Sequence, residues 1–147
     1  EIVRYGAPGM PSVLAEIELD GRRFHLLGTH PLPPLGSAAA RNRDAQLAAI
    51  AEAVRTLPHP VLLIGDLNVS PWSFHFSRLL RHSGLRDGTR GRGFQPTWPA
   101  GLPPLLIPID HSLHSPGLQV VGRFVGEDVG SDHYPLVVDF VLGGPEG

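Results

Sequence analysis

Between Pro60 and Pro71 an apolar run, Val61-Leu62-Leu63-Ile64, ends abruptly in Gly65-Asp66-Leu67-Asn68. Consecutive apolar residues of this length, bounded by prolines, predict a strand covered on both faces, which a layered fold must supply. Gly65 lets the backbone turn or approach another segment closely. Asp66 and Asn68 are two apart, so in an extended segment their side chains face the same way. An anionic acceptor and a neutral donor would then share one pocket at the C-terminal end of a strand, where open α/β folds place their ligands. The same residues also suit a plainer role: an Asx-turn after the strand, with Asn68 or Ser70 capping the next helix.

The flanking sequence builds layers around that strand. Ser12 to Leu19 alternates, with Val13, Ala15, Ile17 and Leu19 on one face and Glu16 and Glu18 on the other. Asp20-Gly21 is a two-residue hairpin turn, and Phe24 to Gly28 returns as the partner strand. That strand delivers Thr29-His30 at its end, and Pro31-Leu32-Pro33-Pro34 stops further pairing. Arg41 to Leu57 carries Leu47, Ile50, Ala51 and Val54 at helical spacing and is closed by Pro58 and Pro60. Strand, helix, strand in that order implies a crossover unit. Ser70-Pro71 predicts the start of a second helix, with Ser70 as N-cap and Pro71 in the first helical position. Trp72, Phe76, Leu79 and Leu80 would form its buried stripe, and Gly84 its C-terminal cap. Arg86 to Pro104, rich in glycine and proline, predicts a long irregular loop. Leu105 to Leu113 reads as a strand interrupted by Pro108, Leu118 to Val125 as another, and Leu136 to Leu142 as the last, before a frayed end from Gly143 to Gly147.

With 147 residues, 41% of them apolar and 18% charged, the chain can bury a real core as a single domain. The net charge of −2 gives no general attraction to nucleic acid. All twelve basic residues are arginine, which genomic base composition explains, although arginine also suits bidentate phosphate contacts. The absence of cysteine removes disulfide and thiolate chemistry and fits either the cytosol or an extracytoplasmic space. No apolar run is long enough to span a bilayer. The chain begins at Glu1 with no initiator methionine, so a piece of a longer protein is expected.

Four places share one grammar, in which a strand ends and polar residues follow at once: Thr29-His30, Gly65-Asp66-Leu67-Asn68, Ile109-Asp110-His111 and Ser131-Asp132-His133. Each alone reads equally as a turn or a surface residue. Together they offer an inventory suited to metal-assisted phosphoryl hydrolysis: carboxylates for Mg²⁺ and for positioning water, His and Asn to receive charge on phosphate oxygens. His25, His59, His75 and His82 belong to no motif, and His111 and His114, three apart in a strand-like segment, would face opposite sides.

Gly65-Asp66-Leu67-Asn68, Ile109-Asp110 and Ser131-Asp132-His133, in that order and spacing, resemble the endonuclease/exonuclease/phosphatase superfamily, the deoxyribonuclease I-like group, from about Val13 to Phe140. Thr29-His30-Pro31, Arg41-Asn42, Gln46-Leu47, Pro71-Trp72-Ser73, Pro96-Thr97-Trp98-Pro99 and Ile107-Pro108-Ile109-Asp110-His111 are similar to a bacterial membrane-anchored subgroup that includes the teicoplanin-resistance membrane protein. The resemblance implies an α/β (α+β) fold, part of a four-layer α/β/β/α sandwich with a mixed sheet. It implies that Asp66 orients or deprotonates the attacking water, that Asn68 holds a phosphate oxygen, and that His133, its ring held by Asp110, donates to the phosphate. Asp132 would be a metal-side carboxylate and His30 a histidine near the leaving group. The implied cofactor is Mg²⁺, with Mn²⁺ as an alternative.

The departure from the family pattern is the length. Family domains are nearly twice as long, and the principal metal-binding Glu lies in their first half. Glu16 and Glu18 fall in a hairpin strand that follows that half, so neither takes the role. The chain is therefore expected to be the C-terminal part of a catalytic domain, inactive and weakly metal-binding alone, and prone to self-association through a bare sheet face. The reading is a divalent-metal phosphoesterase acting on a lipid-linked or small phosphoester, encouraged by the apolar Ala100 to Ile107 loop. The alternatives are a DNA endonuclease and a non-catalytic module that recognises phosphorylated or membrane partners. The subgroup resemblance implies a membrane-anchored parent, with the anchor outside these residues and this domain extracytoplasmic.

Overall fold

A computed structural model describes residues 1–6, 9–58 and 60–143. Among these, the elements in chain order are β1 (Ile2–Arg4), β2 (Pro11–Leu19), β3 (Arg22–Thr29), α1 (Ser37–Thr56), β4 (Val61–Asp66), α2 (Phe74–Ser83), β5 (Arg86–Asp87), β6 (Asp110–His114), β7 (Leu118–Val125) and β8 (Leu136–Leu142). Six strands form one mixed sheet in the order β1-β2-β3-β4-β6-β5, and β7 and β8 pair as a second. The β2–β3 hairpin turns at Asp20 and Gly21, both with positive φ (51° and 73°), as a two-residue turn with the sheet's own twist requires. β3 and β4 are parallel, with α1 as their crossover.

The continuous apolar run of β4 is explained by its cover. Val61 and Leu63 face a core built with Leu47, Ile50, Ala51 and Val54 of α1 and with Phe76 and Leu79 of α2. Leu62 and Ile64 face the other way, toward Phe24, Leu118, Phe140 and Leu142. Helices thus cover one face of the large sheet and β7–β8 part of the other, giving an α/β/β stack. The second face is incompletely covered: Val13 and Leu19 are 56% and 46% exposed, and a cleft of about 470 Å³ lies among Phe24, Leu62, Leu136 and Phe140.

Several boundaries differ from expectation. α1 starts at Ser37 rather than Arg41, because Ala38-Ala39-Ala40 favours helix without showing any apolar period. α2 is capped by Ser73, not Ser70: Ser73 Oγ accepts the His75 N–H at 3.2 Å. Ser70 to Ser73 is instead a turn closed by the Ser73 N–H on Ser70 O at 3.0 Å, and Pro71 serves its second position. Trp72 consequently leaves the predicted buried stripe and is 69% exposed, while Phe76 and Leu79 are buried. The expected strand from Leu105 is broken: Pro103–Leu105 is a 3-10 turn, Ile107 makes one isolated bridge to Trp98, and pairing resumes only at Asp110. Gly84 caps α2 in the left-handed conformation, as its position suggested. His59 and residues 144–147 of the expected frayed end lie outside the described residues; the Gly143 N–H donates to Gly117 O at 3.0 Å.

Gly65 sets the geometry of the whole edge. Its φ is 141°, and a Cβ there would sit 2.0 Å from the carbonyl oxygen of Thr29. This approach brings the ends of β3 and β4 together and with them His30 and Asp66. Gly65→Ala combines a backbone clash with a strained φ and is expected to destabilise the protein by roughly 3 kcal/mol or more. Chemical denaturation measures it; a loss under about 1 kcal/mol would mean that the two strand ends can separate cheaply.

Candidate active site

Asp66 closes β4 and Asp110 opens β6, and the two are register partners in an antiparallel pair, so their carboxyl groups meet at one sheet edge. The β7–β8 connection, residues 126–135, brings His133 to that edge, and the end of β3 brings His30. His133 Nδ1 lies 2.8 Å from Asp110 Oδ2, a hydrogen bond that orients the ring, while Nε2 faces Asp66 Oδ2 at 3.7 Å. His30 Nε2 approaches the same Asp66 oxygen at 3.5 Å from the solvent side, where its side chain is 67% exposed. Residues more than a hundred positions apart along the chain therefore converge on one carboxylate.

Asn68 takes the Asx-turn alternative and not the extended one. It does not continue the strand: its φ is 50°, in the left-handed region that asparagine tolerates better than most residues. Its N–H donates to Asp66 Oδ1 at 2.7 Å and its Nδ2 to Pro31 O at 3.0 Å. The plain Asx-turn thus exists, and it uses one oxygen of Asp66 while leaving the other directed at the two imidazoles. The parallel side chains expected of an extended Asp-x-Asn are replaced by a turn that locks both residues to the end of β3.

Burial raises the Asp66 carboxyl above the ordinary carboxylate range. The Asn68 N–H opposes that shift, Asp110 adds to it by charge repulsion, and His30 and His133 oppose it. A carboxylate with a raised pKa is a stronger base than one in water. His111, next to Asp110, points into the core. It is 2% exposed, its Nε2–H donates to Val69 O at 2.8 Å, and its ring packs on Phe76. Burial lowers its pKa and keeps it neutral, and it fastens the loop that carries Asn68.

The loop from Pro96 to Gly101 braces the His133 segment. Thr97 O accepts the Tyr134 N–H at 2.8 Å, Asp132 O accepts the Ala100 N–H at 2.8 Å, and the Trp98 ring lies 6.4 Å from that of His133. Asp132 itself is exposed. Among the described residues no three His, Asp or Glu side chains come together to hold an ion, so these donors do not by themselves fit the expected Mg²⁺. Two arginines that belong to no motif support the site. Arg123 of β7 is 6% exposed; its Nη2 donates to Asp110 O at 3.3 Å, its Nε to Ser112 Oγ at 3.3 Å and its Nη1 to Gln95 Oε1. Arg43 of α1 donates to Asn68 O at 2.5 Å. Both join the site through backbone carbonyls, a contact no spacing rule detects.

The chain belongs to the endonuclease/exonuclease/phosphatase family, whose model matches residues 1–133. Among solved structures it is similar to an endonuclease/exonuclease/phosphatase from Beutenbergia cavernae, at 25% identity and a TM-score of 0.74 over 91% of this chain and 40% of that one. The human Nocturnin catalytic domain with a bound sulfate anion aligns at 19% identity and a TM-score of 0.74, over 97% and 58%. A humanized D. rerio TDP2 aligns at 16% identity and a TM-score of 0.73, over 96% and 65%. The chain therefore spans less than two thirds of each of these structures. Among curated protein sequences none matches significantly.

Proposed function

We propose that the protein carrying this chain is a divalent-metal-dependent phosphoester hydrolase in which water attacks phosphorus, and that its substrate is a lipid-linked or small phosphoester. The observation that carries the reading is the single constellation of His133 on Asp110 at 2.8 Å with both His133 and His30 facing one oxygen of a desolvated Asp66. Asp66 Oδ2 takes a proton from the attacking water. His133, held by Asp110 in the orientation that turns Nε2 to the site, donates to a phosphate oxygen as charge builds there. Asn68 offers its remaining amide hydrogen to a second oxygen, and His30, at the exposed rim, serves the leaving group. The donors present do not complete a metal site, so the metal dependence, which rests on family membership, calls for ligands beyond these residues.

Two observations favour a lipid-linked or small substrate over DNA. The net charge of −2 gives no field for a polyanion. The loops that leave β4 and enter β6, at the same edge as Asp66 and Asp110, expose Trp72, Phe94, Leu102 and Leu105 at 52% or more. Trp72 and Phe94 stack on each other at 6.1 Å, bringing the two loops into contact. The test is hydrolysis by the full-length protein of a phosphomonoester, a phosphodiester, a polyprenyl pyrophosphate and duplex DNA, each with and without chelator. Chelator-sensitive turnover of the lipid or small esters, with DNA untouched, is expected. Faster cleavage of DNA would make the protein a nuclease, and no turnover of any of them would favour a non-catalytic recognition module.

A further inference from the structure

Asn68 is gripped at three separate groups, and one grip comes from the helical layer. Its N–H is held by Asp66 and its side-chain amide by Pro31 O, both within the sheet edge. Its carbonyl is held by Arg43, a residue of α1 whose side chain is only 12% exposed, through Nη1 at 2.5 Å. The rest of that guanidinium is committed to Asp44: Nε lies 2.9 Å and Nη2 2.7 Å from Asp44 Oδ1. The second Asp44 oxygen lies 3.1 Å from Nε2 of His75, at the start of α2. A polar chain therefore runs His75–Asp44–Arg43–Asn68 across both helices and ends on the loop that joins β4 to α2.

Satisfying one carbonyl does not require this much. A neutral backbone donor or solvent would serve, whereas a nearly buried guanidinium fixed by a carboxylate gives a shorter, charge-assisted and directional bond. Directionality matters at Asn68 because its backbone is in the left-handed region. With Asp66 on its N–H and Arg43 on its carbonyl, both peptides flanking Asn68 are fixed, and with them the Cα from which the side-chain amide reaches Pro31 O. One amide hydrogen is used on Pro31 and the other remains for a ligand.

We propose that Arg43, braced by Asp44 and His75, is a positioning residue: it fixes the Asn68 carbonyl so that the free amide hydrogen stays aimed at the phosphate oxygen. The inference rests on the proposed role of Asn68 and assigns a function to the helix pair behind it. A double-mutant cycle in the full-length protein tests it, using whichever phosphoester the protein turns over. Arg43→Met is expected to lower kcat by about ten- to a hundredfold, with KM nearly unchanged, since the loss is one of alignment. Asn68→Ala is expected to lower kcat by about 10²–10³-fold. The double variant should be no slower than Asn68→Ala alone, and Arg43→Lys should recover only part of the loss because one ammonium cannot span Asp44 and the carbonyl together. A purely structural arginine would instead give multiplicative losses in kcat. Multiplicative losses, an unchanged kcat in Arg43→Met, or a defect confined to KM would each overturn the proposal. Should Arg43→Met not fold, Asp44→Asn carries the same cycle with a milder loosening of the brace and the same expected loss of effect once Asn68 is alanine. An Asn68→Ala protein as fast as wild type would reject the role of Asn68, and with it this proposal, whereas normal sensitivity at Asn68 with additivity at Arg43 rejects the positioning role alone.

Discussion

Asp66→Asn is expected to lower turnover by the full-length protein by about 10²–10⁴-fold while leaving it as stable at neutral pH as wild type, or more so. The amide oxygen keeps the acceptor that Asp66 Oδ1 offers to the Asn68 N–H, so the turn survives. What disappears is a charge that burial disfavours first and that Asp110 disfavours further. The attraction of His30 and His133 for that charge is also lost, but it ranks below burial among the causes of the shift. The pH dependence has a definite sign. The folded pKa of Asp66 lies above the unfolded one, so the associated stability is complete below the ordinary carboxylate pKa and is lost as pH rises through the raised value. In acid both proteins carry a neutral group here and should melt alike; through that window the asparagine variant should gain on wild type and then hold its lead. Melts at three pH values together with turnover at one would show it. A variant that melts well below wild type at neutral pH would mean that the Asp66 charge serves the fold rather than the chemistry.

His133→Ala should be comparably damaging, with turnover reduced by roughly 10²–10⁴-fold and little change in melting temperature. The side chain is partly exposed, and its segment is held through backbone bonds to Thr97 and Ala100 that alanine preserves. In the proposed mechanism Asp110 acts through this ring, to which it is hydrogen-bonded. Asp110→Asn should therefore slow the wild-type background strongly and the His133→Ala background hardly at all, because two residues acting as one unit do not contribute additively. Steady-state kinetics on the four proteins decides it. Equal losses from Asp110→Asn in both backgrounds would indicate that Asp110 has a separate task.

What the sequence made legible was local. Four consecutive apolar residues before Gly65 became a strand covered on both faces, and Asp20-Gly21 became the hairpin turn. Thr29-His30 and Asp66 end their strands as read, and the strand order sets β3, β4 and β6 side by side; Asp110 instead opens β6, and His133 comes from within the β7–β8 connection, not directly after a strand. Illegible were choices settled by tertiary competition. Ser70-Pro71 and Ser73-Phe74 both look like helix starts, and the second prevailed with Phe76 and Leu79 buried and Ser70–Ser73 closed as a turn. An Asp-x-Asn pair reads equally as an extended pair or as an Asx-turn, and only the structure decides for the turn, closed by the Asp66 carboxylate on the Asn68 N–H. Arg43 and Arg123 act on carbonyl oxygens, which every residue possesses, so nothing in their sequence neighbourhoods distinguishes them from solvated arginines.

The most direct test of a water-attacking site at this edge is turnover of a cleaved phosphoester in oxygen-18-labelled water, in wild type and in Asp66→Asn. One labelled oxygen per turnover on the phosphate product in wild type, and almost no product of either kind in the variant, is the predicted result. Label in the departing alcohol instead of the phosphate, or undiminished labelling by Asp66→Asn, would contradict it.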